Sequence, residues 1–158
     1  MDQVGAGAVI IFAWNSVSKT ATLVREYNPG NHKVMAGLAA GIVETDPNKH
    51  GSDFDLAARH ELEEECHLSG GKWYRLLDDG TTLAMDKYCS TGLAIYLVID
   101  AIKVDNPRPL DEEEDIEILE GVPIDEIMKM INRGDFNLVG CCATLLALEK
   151  LRELGEIQ

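Results

Sequence analysis

Hydrophobic patterning begins with GAVIIFAW at 7–14, a continuous apolar run containing β-branched residues, which predicts a buried strand. NSVSKT then turns the chain, and ATLVREY at 21–27 reads as the hairpin partner, stopped by Asn28-Pro29-Gly30. HKVMAGLAAGIVE at 32–44 mixes small and apolar residues and predicts a strand leading into a glycine-containing loop. TDPNKHGSD, with Pro47 and Gly51, is loop. From Asp53 or Asp55 the spacing turns helical, with an acidic residue where the helix dipole favours it, and Ser69-Gly70-Gly71 is expected to end that helix.

KWYRLL at 72–77 and CSTGLAIYLVIDAIKV at 89–104 carry strand character, the second long and apolar at its centre. DNPRPLDEEED is a proline-containing acidic loop, and IEILEGV at 116–122 a further strand. Pro123 to Asn132 predicts a helix with proline at its start. From Val139 to Leu154 a second helix follows, in which Leu145, Leu146, Leu148, Leu151 and Leu154 form the expected core stripe. With no repeat, low-complexity stretch or linker in view, residues 1–158 are expected to form one mixed α/β domain.

Composition narrows the chemistry. The 28 acidic against 14 basic side chains give a formal charge of −14, which repels nucleic acid and anionic membranes unless bound cations reverse the field. If such a chain handles phosphates, a divalent metal is the expected mediator. The four cysteines lack C-x-x-C spacing and do not read as a secreted disulfide framework, and the residues before the first strand do not read as a signal peptide. A cytoplasmic, reducing setting is the expectation. Cys66, His67 and Cys89 lack the close pairing of a closed zinc site.

The concentrated signal is ELEEE at 61–65. At helical spacing Glu64 and Glu65 project within roughly 40–60° of Glu61, while Glu63 points away to solvent. Ala58, Leu62 and Cys66 form an adjoining apolar strip that can fix the helix on a core. Three like charges on one face destabilise a helix unless compensated. A hard cation with oxygen ligands, magnesium or manganese, compensates them and keeps room for waters and phosphate oxygens. Glutamate runs on helices are more often solvated faces, so the neighbouring residues decide the reading.

Those neighbours resemble the Nudix hydrolase superfamily. Glu61-Leu62-Glu63-Glu64-Glu65 matches the E-U-x-E-E portion of the Nudix box, U being aliphatic, and Leu68 matches its last aliphatic position. LVREYNPG at 23–30 resembles the L-V-R-Q-Y-R-P-G of the ADP-ribose and nucleotide-sugar pyrophosphatase branch, and LAAGIVE at 38–44 its L-P-A-G-x-x-E. EEDIE, VPIDEIMKMINRGDF and the leucine-rich last helix follow in that branch's order. The box is degenerate: His60 stands for its arginine, His67 for its second glycine and Ser52 for its first glutamate. The loop 45–53 is an insertion. His60 is expected to substitute structurally for the arginine, with Asp53 or Asp55 in support, and His67 to cap the helix.

The resemblance implies a Nudix-type α/β/α sandwich with a mixed central sheet. It implies Mg²⁺ or Mn²⁺ held by Glu61, Glu64, Glu65 and the backbone carbonyl of Ala40, beside Gly41. It implies cleavage of the pyrophosphate in a nucleoside diphosphate linked to a sugar or similar moiety, to a nucleoside monophosphate and a sugar phosphate. Glu64 belongs to the catalytic set, and either Glu112 or Glu114 in the acidic loop serves as base. Arg25 reaches a phosphate or makes a surface ion pair. The replaced box residues support a second reading, a catalytically weak or inactive module that binds a nucleotide or a protein. The expected partner is a nucleoside diphosphate-linked small molecule; a homodimer would use a surface other than an N-terminal extension.

Overall fold

The computed structural model describes residues 7–110 and 114–158. Strand β1 spans Gly7–Asn15, β2 Thr20–Asn28, β3 Lys33–Gly37 and β4 Ala39–Val43. Helix α1 covers Phe54–Cys66, followed by β5 Leu68–Ser69, β6 Lys72–Arg75, β7 Leu83–Ala84 and β8 Gly92–Ile99. The chain closes with β9 Ile102–Lys103, β10 Glu117–Pro123, α2 Ile124–Asn132 and α3 Leu138–Glu153.

Eight strands form one mixed sheet, ordered β10-β2-β1-β8-β6, with β3 on β2, β4 on β1 and β7 on β8. The β1–β8 pair is parallel, running from Ala8 opposite Leu93 to Trp14 opposite Ile99. The first hairpin stays paired only near its turn, from Ala13 opposite Thr22 to Asn15 opposite Thr20. Beyond that, β1 takes β4 as its partner and β2 takes β3. The expected strand and loop at 32–44 are therefore two strands, broken at Leu38 as the chain passes from one partner to the other.

Alternation along the two central strands explains the sandwich. Ala8, Ile10, Phe12 and Trp14 of β1, with Leu93, Ile95, Leu97 and Ile99 of β8, bury into the core shared with α2 and α3. Val9, Ile11 and Ala13, with Ala94, Tyr96 and Val98, bury under α1 against Ala57, Ala58, Leu62 and Cys66. A strand covered on both faces needs no polar alternation, which is why GAVIIFAW is continuously apolar. The fold is thus an α/β/α sandwich on a mixed central sheet.

Helix α1 is capped by Asp53, whose Oδ1 accepts from the Leu56 N–H at 3.1 Å. It ends earlier than the glycine pair suggests. His67 adopts a left-handed conformation (φ 58°) and its N–H donates to the Glu63 carbonyl, turning the chain into β5. The run 89–104 is likewise broken, at Asp100 (φ 59°), whose carboxylate accepts from the Ser16 N–H at 2.8 Å and the Ser16 hydroxyl at 2.5 Å. These bonds hold the Asp100 carboxyl below its usual range.

In α2, Pro123 is the N-cap rather than the first helical residue. In α3 the buried face is Gly140, Ala143, Thr144, Ala147, Leu148 and Leu151. Leu145 and Leu154 are exposed at 50% and 38%, which corrects the leucine stripe. Small residues let α3 approach the sheet, and Leu145, one position past Thr144, is rotated by about 100° away from that face. Among the described residues no helix is long and apolar enough to cross a membrane.

Leu62 is fully buried at the centre of the α1 contact. Leu62→Ala is expected to lower unfolding free energy by about 2–5 kcal/mol, from lost apolar contact and the cavity left behind. Urea denaturation measures it, and a loss below about 1 kcal/mol would mean that α1 is not anchored there.

Candidate active site

Strand β4 and helix α1 meet where neither has room for a bulky side chain. A Cβ on Gly41 would overlap the Glu61 carboxyl group itself. One residue earlier, the Ala40 N–H donates to Glu65 Oε2 at 2.8 Å. Glu61 and Glu65 lie one turn apart on α1, and both are buried, at 9% and 4% exposure. The apolar strip beside them seats the helix so that these carboxylates face β4 rather than water.

That placement is electrostatically tense. Burial pushes the Glu65 carboxyl up to about 9; the Ala40 N–H opposes this, while the charges of Glu61, Glu114 and Glu26 add to it. Burial likewise pushes the neighbouring Cys66 thiol well above its ordinary range, so that cysteine packs as an apolar group.

A cavity of about 860 Å³ opens beside this contact. Its lining joins β4 at Ala40 and Gly41, α1 at His60, Glu61 and Glu64, and the late loop at Arg108 and Glu114. The inserted segment supplies Lys49 and His50. Of the residues singled out by sequence, Ala40, Gly41, Glu61, Glu64 and Glu114 therefore come together. Glu65 is adjacent but not part of the lining; its Oε2 holds Ala40. Glu112 lies outside the described residues. Arg25 is absent from the lining and sits opposite Glu117 of β10, with Nη1 3.6 Å from Glu117 Oε2.

Two expectations about side-chain partners are corrected. Glu63 does not simply face solvent: its Oε2 lies 3.3 Å from Arg108 Nε, which ties the late loop to α1. His60 is supported neither by Asp53, which caps the helix, nor by Asp55, whose Oδ1 accepts from the Tyr96 hydroxyl at 2.7 Å. His60 instead packs on His50, ring centroids 5.4 Å apart. Burial, Arg108 and His50 all lower the His60 pKa, against a smaller opposing effect of Glu63. Sequence reasoning treated TDPNKHGSD as an inserted loop and missed His50; the signal was a second histidine, in that loop, ahead of His60.

The insertion is a built turn. Lys49 and Gly51 N–H groups donate to the Asp46 carbonyl, Ser52 N–H to the Glu44 carbonyl, and Asp53 N–H to the His50 carbonyl. Gly51 (φ 54°) and Ser52 (φ 65°) supply the left-handed steps it needs.

Among the described residues no three histidine, cysteine, aspartate or glutamate side chains already converge on one point. The carboxylate oxygens that Glu61 and Glu64 bring to the cavity are of the kind that could hold a hard divalent cation rather than zinc. The mutual repulsion felt at Glu65 is also what such a cation relieves.

Against known proteins, no family model matches the chain and no curated protein does. Among solved structures it is similar to the crystal structure of an ADP compounds hydrolase, with a TM-score of 0.71 and 25% sequence identity. The match covers 95% of this chain and 76% of that one. The fold is of the Nudix type. The Nudix-type sandwich accordingly accounts for the element order, the mixed sheet and the three helices together.

Two outcomes are expected. Gly41→Ala should destabilise the protein by about 1–3 kcal/mol through overlap with Glu61, and most of that loss should vanish in a Glu61→Ala background. A double-mutant cycle by urea denaturation reads the coupling, and an additive pair would refute the contact. Second, a carboxyl raised to about 9 in the fold and titrating near 4.5 when unfolded retains its proton while the unfolded chain loses it. Its contribution to stability is full below about pH 4.5 and declines up to about pH 9. In EDTA, Glu65→Gln should therefore gain stability relative to the parent as pH rises from 5 to 8; parallel stability–pH curves would contradict it.

Proposed function

We propose that the chain is a divalent-cation-dependent hydrolase that splits the pyrophosphate of a nucleoside diphosphate linked to a sugar or similar group. The observation that carries this reading is the cavity in which Glu61 and Glu64 stand beside Gly41 and Ala40, in a Nudix-type fold similar to that of an ADP compounds hydrolase.

A bound Mg²⁺ or Mn²⁺ would neutralise diphosphate oxygens and acidify a coordinated water. Glu61, Glu64, Glu65 and the Ala40 carbonyl would hold it. The remaining chemistry belongs to the chain's own residues. Gly41 leaves room for the Glu61 carboxyl to lie against the backbone of β4, beside the cavity. Glu65 accepts the Ala40 N–H and so fixes β4 against α1 at the cavity wall. Glu114 lines the cavity, and in this reading either it or Glu112, which lies outside the described residues, takes a proton from water. The Arg108–Glu63 pair holds the segment before these residues against the helix. Arg25 lies opposite Glu117 of β10, with Nη1 3.6 Å from Glu117 Oε2, which favours the surface ion pair over the phosphate contact. Products are a nucleoside monophosphate and a sugar phosphate.

With ADP-ribose or a nucleotide sugar and Mg²⁺, Glu64→Gln is expected to lower kcat by about 10²–10⁴-fold while leaving the fold intact. Release of the monophosphate, followed by chromatography, measures this. Absence of turnover on every diphosphate tried, in a folded wild-type protein, would overturn the hydrolase reading.

A further inference from the structure

We propose that His50, His60 and Arg108 form a donor-bearing wall of the cavity that binds a phosphate group of the substrate. The inference rests on the reading of the cavity as a nucleoside diphosphate site and adds the residues that recognise the anion from the protein side.

His50 carries the argument. It is 8% exposed, yet it lines the cavity. The Glu44 N–H donates to its Nδ1 at 3.0 Å. A neutral imidazole that accepts at Nδ1 carries its proton on Nε2, so His50 presents an N–H donor at its other nitrogen. Among the described residues Nε2 makes no hydrogen bond. The same tautomer makes His50 unsuited to bind a metal through Nε2, because the proton would have to move to Nδ1 and confront the Glu44 N–H. An N–H donor that no protein group occupies, on a side chain lining an open cavity, is available to an acceptor from a ligand.

His60 stacks against that ring and also lines the cavity. Arg108 completes the wall with a guanidinium of which only Nε is engaged by Glu63. Guanidinium and imidazole N–H groups are the donors that suit phosphate oxygens. The inserted turn at 45–53 thus acquires a reason: it brings His50 to a helix position that has lost its arginine.

Calorimetry of inorganic pyrophosphate and of adenosine, with Mg²⁺ present, tests the wall in the chain of 158 residues. His50→Leu and Arg108→Met should each weaken pyrophosphate binding about ten-fold or more and leave adenosine binding unchanged. Arg108 is half-exposed, so its variant keeps the test valid even if loss of His50 impairs folding. Three results overturn the wall: no pyrophosphate binding by the wild type, unchanged pyrophosphate affinity in Arg108→Met, or a loss confined to adenosine. Turnover is read separately. A protein that hydrolyses diphosphates while Arg108→Met binds pyrophosphate normally loses the wall and keeps the hydrolase; the opposite pattern keeps the wall and loses the hydrolase.

Discussion

Everything at the candidate site depends on how closely β4 approaches α1. Gly41 has no side chain because the Glu61 carboxyl occupies that space, and Ala40 is fixed because Glu65 accepts its N–H. The apolar strip Ala58, Leu62 and Cys66 presses the helix onto the sheet and forces both carboxylates out of water. Burial disfavours the charged form of a carboxyl, so Glu65 holds its proton up to about pH 9, and the packing beneath sustains that placement. Sites that hold such tension are where reactive chemistry is commonly organised.

The legible part of the fold was the part written by periodicity. A strand buried on both faces, an amphipathic α1 and the last two helices could be read because apolar spacing alone decides them. The illegible parts were decided by partners. Leu38 separates two strands because β1 and β2 diverge, and nothing within 32–44 records that divergence. Asp100 and His67 take left-handed conformations without being glycine, in one case because Ser16 claims the Asp100 carboxylate. Leu145 reads as core until the small residues Gly140, Ala143 and Ala147 are seen to set the true face of α3.

At the site the same division holds. Helical spacing brought Glu61, Glu64 and Glu65 to one side, but could not tell which would line the cavity and which would brace the strand. The His50–His60 contact joins an insertion to a helix, so no local pattern encodes it. The contact gives His60 of α1 a histidine companion from the 45–53 turn. Arg108 similarly converts a helix glutamate from a solvent-facing charge into an anchor for the late loop.

The parallel pairing of β1 with β8 has a consequence for how the molecule assembles. Its register joins Ala8 to Leu93 and Trp14 to Ile99, so the middle of the sheet closes around all of β2 through β7 and α1. Hairpin contacts and helix turns form over short loops, whereas this pairing must overcome the entropy of a long one before its contacts reward it. The β4–α1 contact lies inside that loop, and the face it packs on is completed only by Ala94, Tyr96 and Val98 of β8. The dry environment of the acidic cluster is therefore complete only when β8 lies beside β1, so a local contact depends on a distant pairing in the sheet.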